Sequence, residues 1–285
     1  MSSPEQAFYK GQTLAFLTQH GKQDLLRTLL ESSLGCQLLH TDAWDTDQLG
    51  TFTRDQSRRG SQMDAARQKA NIGMALTGAR LGLGSEGSFG VDPFGAMMPW
   101  NTEMVLWVDS RANMEVVGFA HGPAQNLQRM VKNPTELFRF AADARFPEHH
   151  LVLRPEHPRH NGVHKGLCDA ASLERAFDLA SQQSTNGQVF VENDLRAFAN
   201  PTRQQMILKA GQDLVHKLSS PCPSCAKPGY CLSEQIPGLP CRACGAPTRL
   251  PKAEIWRCAA CGHNEHRNSN SALWADPGRC DFCNP

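Results

Sequence analysis

The chain has 285 residues, a formal net charge of +1, 40% hydrophobic residues and 20% charged residues. This balance excludes a strongly basic nucleic-acid coat protein, a chain dominated by an acidic tail and an intrinsically disordered chain. No apolar run approaches the roughly eighteen residues of a membrane span, and the first residues lack the pattern of a secretory signal. We therefore expect a cytoplasmic protein that does not associate with membranes.

Apolar runs of strand length alternate along the first 217 residues with stretches whose apolar side chains recur at helical spacing. In chain order the predicted elements are a strand at 13–18, a helix at 22–35, a strand at 36–40, a helix at 61–77, strands at 81–83, 103–109 and 115–119, a helix at 134–144, a strand at 151–153, a helix at 172–181, a strand at 188–192 and a helix at 202–218. The pattern predicts an α/β domain over residues 1–217, with a mixed sheet flanked by helices. Pro221 cannot continue the last helix, and a small zinc-ribbon domain is expected over residues 218–285.

One long polar segment without a clear period interrupts these elements, from residue 42 to residue 60. Loops of this length in compact domains are usually functional or mobile. Ser61 follows this segment, and Asp64 stands three residues further on. This is the spacing of a capping box, which predicts the start of a helix at Ser61.

The cysteines are concentrated at one end of the chain, because nine of the eleven follow residue 221. Eight of them form four CxxC pairs, which are Cys222/Cys225, Cys241/Cys244, Cys258/Cys261 and Cys280/Cys283. Fifteen residues separate the first two pairs and eighteen the last two, which matches the spacing of four-cysteine zinc sites. Two consecutive sites are the simplest assignment. The alternative is a cross-braced arrangement, in which the first pair joins the third and the second joins the fourth.

Disulfides are the less favoured interpretation of these pairs, because nothing in the sequence indicates export. Four cysteine ligands leave no open position for water on zinc, and a short segment with few aliphatic residues needs metal to fold. The seven Lys/Arg and five Asp/Glu of residues 218–285, with eight thiolates on two Zn²⁺ ions, give a net charge of about −2. This sign disfavours binding to phosphate backbones. We therefore favour a structural or partner-docking tail over one that binds nucleic acid, and interpret Cys231 as a packing residue or spare thiol.

Three segments of the first domain carry candidate site residues. Lys22 begins a helix directly after the turn at residues 18–22, and such a turn offers an anion free N–H groups, a positive helix dipole and an ammonium group. Asp64 and Lys69 lie five residues apart on the next helix. Glu86 lies where a short strand meets a glycine-rich segment, a common position for catalytic side chains.

The order and spacing of these segments resemble those of the inosine/xanthosine triphosphate pyrophosphatases, the house-cleaning nucleoside triphosphatase superfamily. The Thr/Ser-x-Asn-x-Gly-Lys turn of that family corresponds here to Thr18, His20 and Lys22. His20 replaces the Asn, and one residue fewer precedes the Gly. The resemblance covers about residues 12–217, and ordinary members of the superfamily lack the cysteine-rich tail.

The Glu-Asn-Ala-x-x-Lys-Ala helix of the same superfamily corresponds to the segment from Asp64 to Ala70, with Asp in place of Glu. Its acidic strand end is matched only in part by residues 85–88, which contain Glu86 and lack the second acid. The whole arrangement also resembles a bacterial family of unknown function that carries the same tail.

The first resemblance implies Mg²⁺-assisted hydrolysis of a nucleoside triphosphate or a related phosphorylated small molecule. Asp64 and Glu86 would hold the metal ion, and Lys69 would act beside them on phosphate charge. The resemblance suggests residues for phosphate binding, and so do the basic side chains of the loop and the late helix. The candidates are Thr18, His20, Lys22, Arg54 and Arg203.

Two classes of function therefore stand side by side. An enzyme predicts that Lys22, Asp64, Lys69 and Glu86 converge on one cleft. A catalytically degenerate nucleotide sensor or zinc-ribbon adaptor predicts instead an exposed apolar or basic surface on the tail. A homodimer is compatible with either.

Overall fold

The structure is a computed structural model that describes residues 8–46, 60–95, 97–268 and 273–285. These residues form three β-sheets and five α-helices, which confirms the predicted α/β fold with a mixed sheet. The first two sheets each carry helices and a separate hydrophobic core. The third sheet belongs to the cysteine-rich tail.

The first sheet has a parallel part and an antiparallel part. Its strands are β1 (Thr13–Leu17), β2 (Gln37–Thr41), β3 (Leu81–Val91), β4 (Pro99–Asp109) and β5 (Met114–Pro123), in the order β2-β1-β3-β4-β5. β1 pairs in parallel with β2 and β3, whereas β3, β4 and β5 form an antiparallel meander.

Three helices cover the two faces of this sheet. Their bounds are α1 (Lys22–Leu34), α2 (Gln62–Thr77) and α5 (Pro201–Leu218). Because side chains alternate along a strand, Val105 and Trp107 of β4 pack with α1 and α5, whereas Met104 and Leu106 pack with α2. Trp107 is fully buried and is the largest side chain of the core.

α2 lies unusually close to β3, and two glycines make that approach feasible. A Cβ atom on Gly84 would lie 2.0 Å from the carbonyl oxygen of Ala66, and one on Gly82 would lie 2.7 Å from that of Ala70. Glycine is therefore required at these strand positions for a steric reason.

The second sheet is antiparallel and carries its helices on one face. Its strands are β6 (Gln128–Val131), β7 (Leu151–Pro155), β8 (His164–Leu167) and β9 (Val189–Asn193), in the order β6-β9-β7-β8. Helices α3 (Pro134–Asp143) and α4 (Ala170–Gln183) pack on it around Leu137, Phe140 and Leu173. The start of β7 and the end of β9 lie at the same edge, since Leu151 is opposite Asn193.

The tail forms a three-stranded antiparallel sheet of β10 (Tyr230–Pro237), β11 (Pro251–Cys258) and β12 (Asn264–Asn268). It is docked on the first sheet, because Ala260 packs against the core of that sheet and Gly229 lies close to Val116. α5 ends at Leu218, one residue beyond the predicted domain boundary. No helix among the described residues is long and apolar enough to span a membrane.

The structure differs from the sequence prediction mainly in its strands. β3 continues through the glycine-rich segment to Val91 instead of ending at residue 83, because β4 pairs with it along its whole length. The short strands β6 and β8 were missed. The capping box of Ser61 and Asp64 is confirmed, and most of the predicted loop, residues 47–59, lies outside the described residues.

Candidate functional site

The eight paired cysteines gather into two clusters. Cys222 and Cys225 meet Cys258 and Cys261 in the first cluster, and the second cluster combines Cys241, Cys244, Cys280 and Cys283. The first CxxC pair therefore joins the third and the second joins the fourth. The prediction of two consecutive sites is wrong, and the cross-braced alternative is correct.

The antiparallel hairpin of β10 and β11 explains this pairing. The first CxxC pair precedes β10 and the third follows β11, so Tyr230 lies opposite Cys258 at one end of the hairpin. The second pair lies in the connection at the other end, where Cys241 forms a bridge with Ala275. With eight residues in β11 at about 3.3 Å each, the clusters are about 25 Å apart.

The sulfur positions in both clusters fit a tetrahedral metal ion. In the first cluster the Cys222 and Cys261 sulfurs are 3.8 Å apart, as are those of Cys225 and Cys258. In the second cluster the corresponding distances are 3.9 and 3.6 Å. Four sulfurs at about 2.3 Å from zinc have edges of about 3.8 Å. All the described cysteines are free thiols, so the disulfide interpretation is not supported.

Two further features of the tail bear on the sequence predictions. Cys231 lies outside both clusters, and burial raises the pKa of its thiol, as expected for an inert packing residue. Beside the second cluster, Leu273, Trp274 and Phe282 are exposed. This is an apolar surface of the kind that an adaptor needs, and docking of a partner there stays a prediction.

A second candidate site lies at the end of the parallel strands of the first sheet. The strand order reverses at β1, since α1 leads from β1 to β2 on one face and α2 leads from β2 to β3 on the other. β1 ends at Leu17, beside Gly84, while β3 continues to Val91. We call the space beyond Leu17 and beside residues 85–88 the β1–β3 crevice. Ligands of open α/β sheets bind at such reversal points, outside the carboxyl ends of the strands.

Lys22 reaches into this crevice from the first turn of α1. Its Nζ donates to the carbonyl oxygen of Ser85 at 2.8 Å and contacts the Ser85 hydroxyl at 3.3 Å. Burial, together with the nearby guanidinium of Arg203, lowers the pKa of Lys22 from 10.5 to about 7. Glu103 and Glu86 oppose this shift, and Lys69 adds to it. The charged form of Lys22 is therefore incompletely compensated.

Two ion pairs flank Lys22, one on each face of β3. Lys69 of α2 contacts Glu86 at 2.5 Å, and both side chains are largely buried. On the opposite face, Arg203 of α5 donates to Glu103 of β4 at 2.7 Å, and both are fully buried. Lys22, Lys69, Glu86 and Arg203 thus approach the same crevice. Glu103 was missed, although an acid at the head of an apolar strand is a signal for a buried pair.

The other predicted site residues lie elsewhere or play local roles. Asp64 points to solvent at the start of α2, where it caps Ser61 and pairs with Arg67. Thr18 is buried, and its backbone carbonyl is bonded by His40. Arg54 lies outside the described residues. Asp64 is therefore not brought together with Glu86, and its catalytic role stays a prediction.

The second sheet supplies a wall that faces the β1–β3 crevice. Phe198, which follows β9, packs near the ring of His20 with centroids 6.2 Å apart. The Arg196 guanidinium lies 4.7 Å from the Phe198 ring centroid and is held by Asp194 at 2.5 Å. His150 approaches the same ring at 6.0 Å. The crevice is therefore lined by several cationic or protonatable groups.

Magnesium, which the resemblance implies, finds no preformed site among these residues. Glu103 accepts from Arg203 and from Asn101, Glu86 is paired with Lys69, and Asp64 is occupied by its cap. Among the described residues, the two cysteine clusters are the only groups of three or more potential ligands within 4.8 Å of one another. The carboxylates therefore do not fit a magnesium site of two or three free acids.

A comparison of the sequence with known protein families gives a match that covers most residues of both candidate sites. Residues 69–285 match the family described as a domain of unknown function, DUF6671. The chain belongs to this family. The matched region holds Glu86, Glu103, Arg203 and all four CxxC pairs, whereas Lys22 precedes it.

Comparison with curated proteins and with solved structures gives no match. The resemblance to the inosine/xanthosine triphosphate pyrophosphatases therefore rests on the sequence motifs alone. The expectation of a family of unknown function that carries the same tail is confirmed.

Proposed function

We propose that the β1–β3 crevice binds a phosphorylated small molecule and that two zinc ions stabilise the tail. The observation that carries the first part is Lys22, an ammonium group that is 6% exposed. Among the described residues, this ammonium hydrogen-bonds only to the neutral side chain and carbonyl of Ser85. A buried charge without a direct counterion is costly, and an anionic ligand supplies the missing partner.

The surroundings of Lys22 favour phosphate as that anion. Gly21 caps α1 without a side-chain hydrogen bond, so the first N–H groups of the helix are left for a ligand. Lys69 and Arg203 lie close by, each paired with a carboxylate, and both lower the pKa of Lys22. A helix N-terminus beside an ammonium group that has no direct counterion is a favourable site for phosphate groups.

The zinc part of the proposal rests on the spacing and geometry of the two cysteine clusters. Each has four thiols at tetrahedral distances, enough to fill all four positions of a zinc ion. A closed site of this kind is structural. The clusters hold the hairpin of β10 and β11 at both ends, where the hydrophobic core is small.

Replacing Lys22 by methionine is expected to abolish binding of tripolyphosphate, measured by isothermal titration calorimetry on the full chain. Because the pKa of Lys22 is about 7 and an anion favours the charged form, wild-type affinity should rise about tenfold from pH 8 to pH 6. Glu86, Glu103, Lys69 and Arg203 are the charged groups that face it. Lys22→Arg is the matched control, since its charge does not titrate in this range. Equal pH dependence in wild type and Lys22→Arg would contradict the assignment.

Hydrolysis of the bound ligand is the second candidate, favoured by the position of Glu86 on the β3 edge beside Lys69. The expected result is pyrophosphate or phosphate release from a panel of nucleoside triphosphates that Glu86→Gln lowers by at least about a hundredfold. Asp64→Asn is the matched control, because Asp64 faces solvent on the adjacent helix. Each variant is assayed with and without added Mg²⁺. If the wild type binds the ligand but releases no phosphate or pyrophosphate, the chain is a sensor and not a hydrolase. If only Asp64→Asn loses this release, Asp64 has the catalytic role that the motif predicts.

A further inference from the structure

A groove lined by aromatic side chains opens along the last residues of β3 and the first residues of β4. Its volume is 420 Å³, within the usual range of small-molecule sites. We call it the aromatic groove. The residues that shape it are Ser88, Phe94, Trp100, Thr102 and His121.

The aromatic groove is separate from the β1–β3 crevice. Ser88, Thr102 and His121 lie opposite one another on β3, β4 and β5, so their side chains share one face of the sheet. Ser85 is three residues before Ser88, and its side chain therefore points to the other face, where Lys22 contacts it. A ligand of the aromatic groove is thus independent of the site at Lys22.

Three rings stand at the corners of a nearly regular triangle in this groove. The ring centroids of Phe94 and Trp100 are 5.8 Å apart, those of Trp100 and His121 are 5.7 Å apart, and those of Phe94 and His121 are 6.4 Å apart. The centre of such a triangle is about 3.5 Å from each centroid, and cation–π attraction extends to about 6 Å. An ammonium group up to about 5 Å above the triangle is therefore within reach of all three rings.

The charges around the groove also favour a cation. None of the described residues that line it is a lysine or an arginine, so no fixed positive charge attracts an anion or repels an ammonium group. Asp92 is buried, and its carboxylate accepts from the N–H of Phe94 at 3.0 Å, which places this acid at the base of the Phe94 wall. The Phe94 side chain is 77% exposed, although burial of an aromatic ring is strongly favourable. A ligand in the groove would cover it.

We infer that the aromatic groove binds a small molecule through a quaternary ammonium group. Such a group combines a positive charge, which the faces of Trp100 and Phe94 attract, with methyl groups that cover the exposed rings. An unmethylated ammonium group is more strongly hydrated and gains less from the same rings. This ligand class lies outside the proposed function, which concerns phosphate groups on the other face of the sheet.

The test compares choline with the neutral alcohol in which a carbon atom replaces the choline nitrogen. The affinities of both for the full chain are measured by NMR titration. Choline is expected to bind at least about tenfold more tightly, because only choline carries the charge that the rings attract. Phe94→Ala should weaken choline binding about tenfold, whereas Phe94→Tyr should retain it. Phe282→Ala is the matched control, because Phe282 is 76% exposed on the tail.

Other results would overturn the inference. Equal affinity for choline and the neutral alcohol would make the groove an apolar site that does not recognise charge. If wild type does not bind choline, or if Phe94→Ala binds it as well as Phe282→Ala does, the groove is not the site. Tighter binding of a peptide with trimethyl-lysine would assign the groove to a modified protein. A change in the sedimentation coefficient of Phe94→Ala alone would assign it to a contact between copies of the chain.

Discussion

Replacement of Cys280 by serine will expose Cys241 and Cys244 to alkylation, while Cys258 and Cys261 stay protected. The reason is that Cys280 shares a cluster with the second CxxC pair and not with the third. Loss of one thiolate opens a structural site, whose metal contributes about 10 kcal/mol or more of folding free energy in small zinc domains. Zinc content, measured by mass spectrometry, is expected to fall from two ions per chain to one.

The readout is the mass of each cysteine-containing peptide after brief treatment with an alkylating agent. Cys231→Ser serves as the matched control because Cys231 lies outside both clusters. That control should retain both zinc ions. Labelling of Cys258 and Cys261 in the Cys280→Ser variant, with Cys241 and Cys244 protected, would restore the consecutive pairing.

Replacement of Gly84 by alanine is expected to destabilise the protein by about 4 kcal/mol or more. The added Cβ would lie 2.0 Å from the backbone oxygen of Ala66, so either α2 or β3 must move. Since α2 carries Lys69 and β3 carries Glu86, the same movement would separate this ion pair. The measurement is equilibrium unfolding in urea at fixed zinc content.

Gly90→Ala is the matched control for this substitution. Gly90 lies on the same strand, and a Cβ atom there meets nothing within 4 Å. Its free energy of unfolding should stay within about 0.5 kcal/mol of wild type. Equal stability of the two variants would show that α2 does not pack on β3 as described.

Side-chain pattern was sufficient to predict much of the fold. The alternation of strands and helices, the capping box at Ser61 and the eight clustered cysteines all follow from local spacing. β3 was predicted too short because its glycines have low strand propensity. These glycines allow close contacts with a helix and with Glu103, which lie elsewhere in the sequence. Local spacing contains no information about such contacts.

The pairing of the cysteines could not be predicted for a related reason. All four CxxC turns are chemically alike, and the choice between partners is made by the antiparallel register of β10 and β11. In the crevice, the motifs located Lys22, Lys69 and Glu86. They did not locate Glu103, whose partner Arg203 lies 100 residues away in the sequence, or Phe198, which follows a strand of the second sheet.

The cross-braced tail also sets an order for its own assembly during translation. The first cluster is complete once Cys261 has been synthesised, so its hairpin can close around metal early. Cys241 and Cys244 are made before Cys258, yet they must wait for Cys280 and Cys283. During synthesis, the earlier pair of thiols therefore waits longer for its partners than the later pair does.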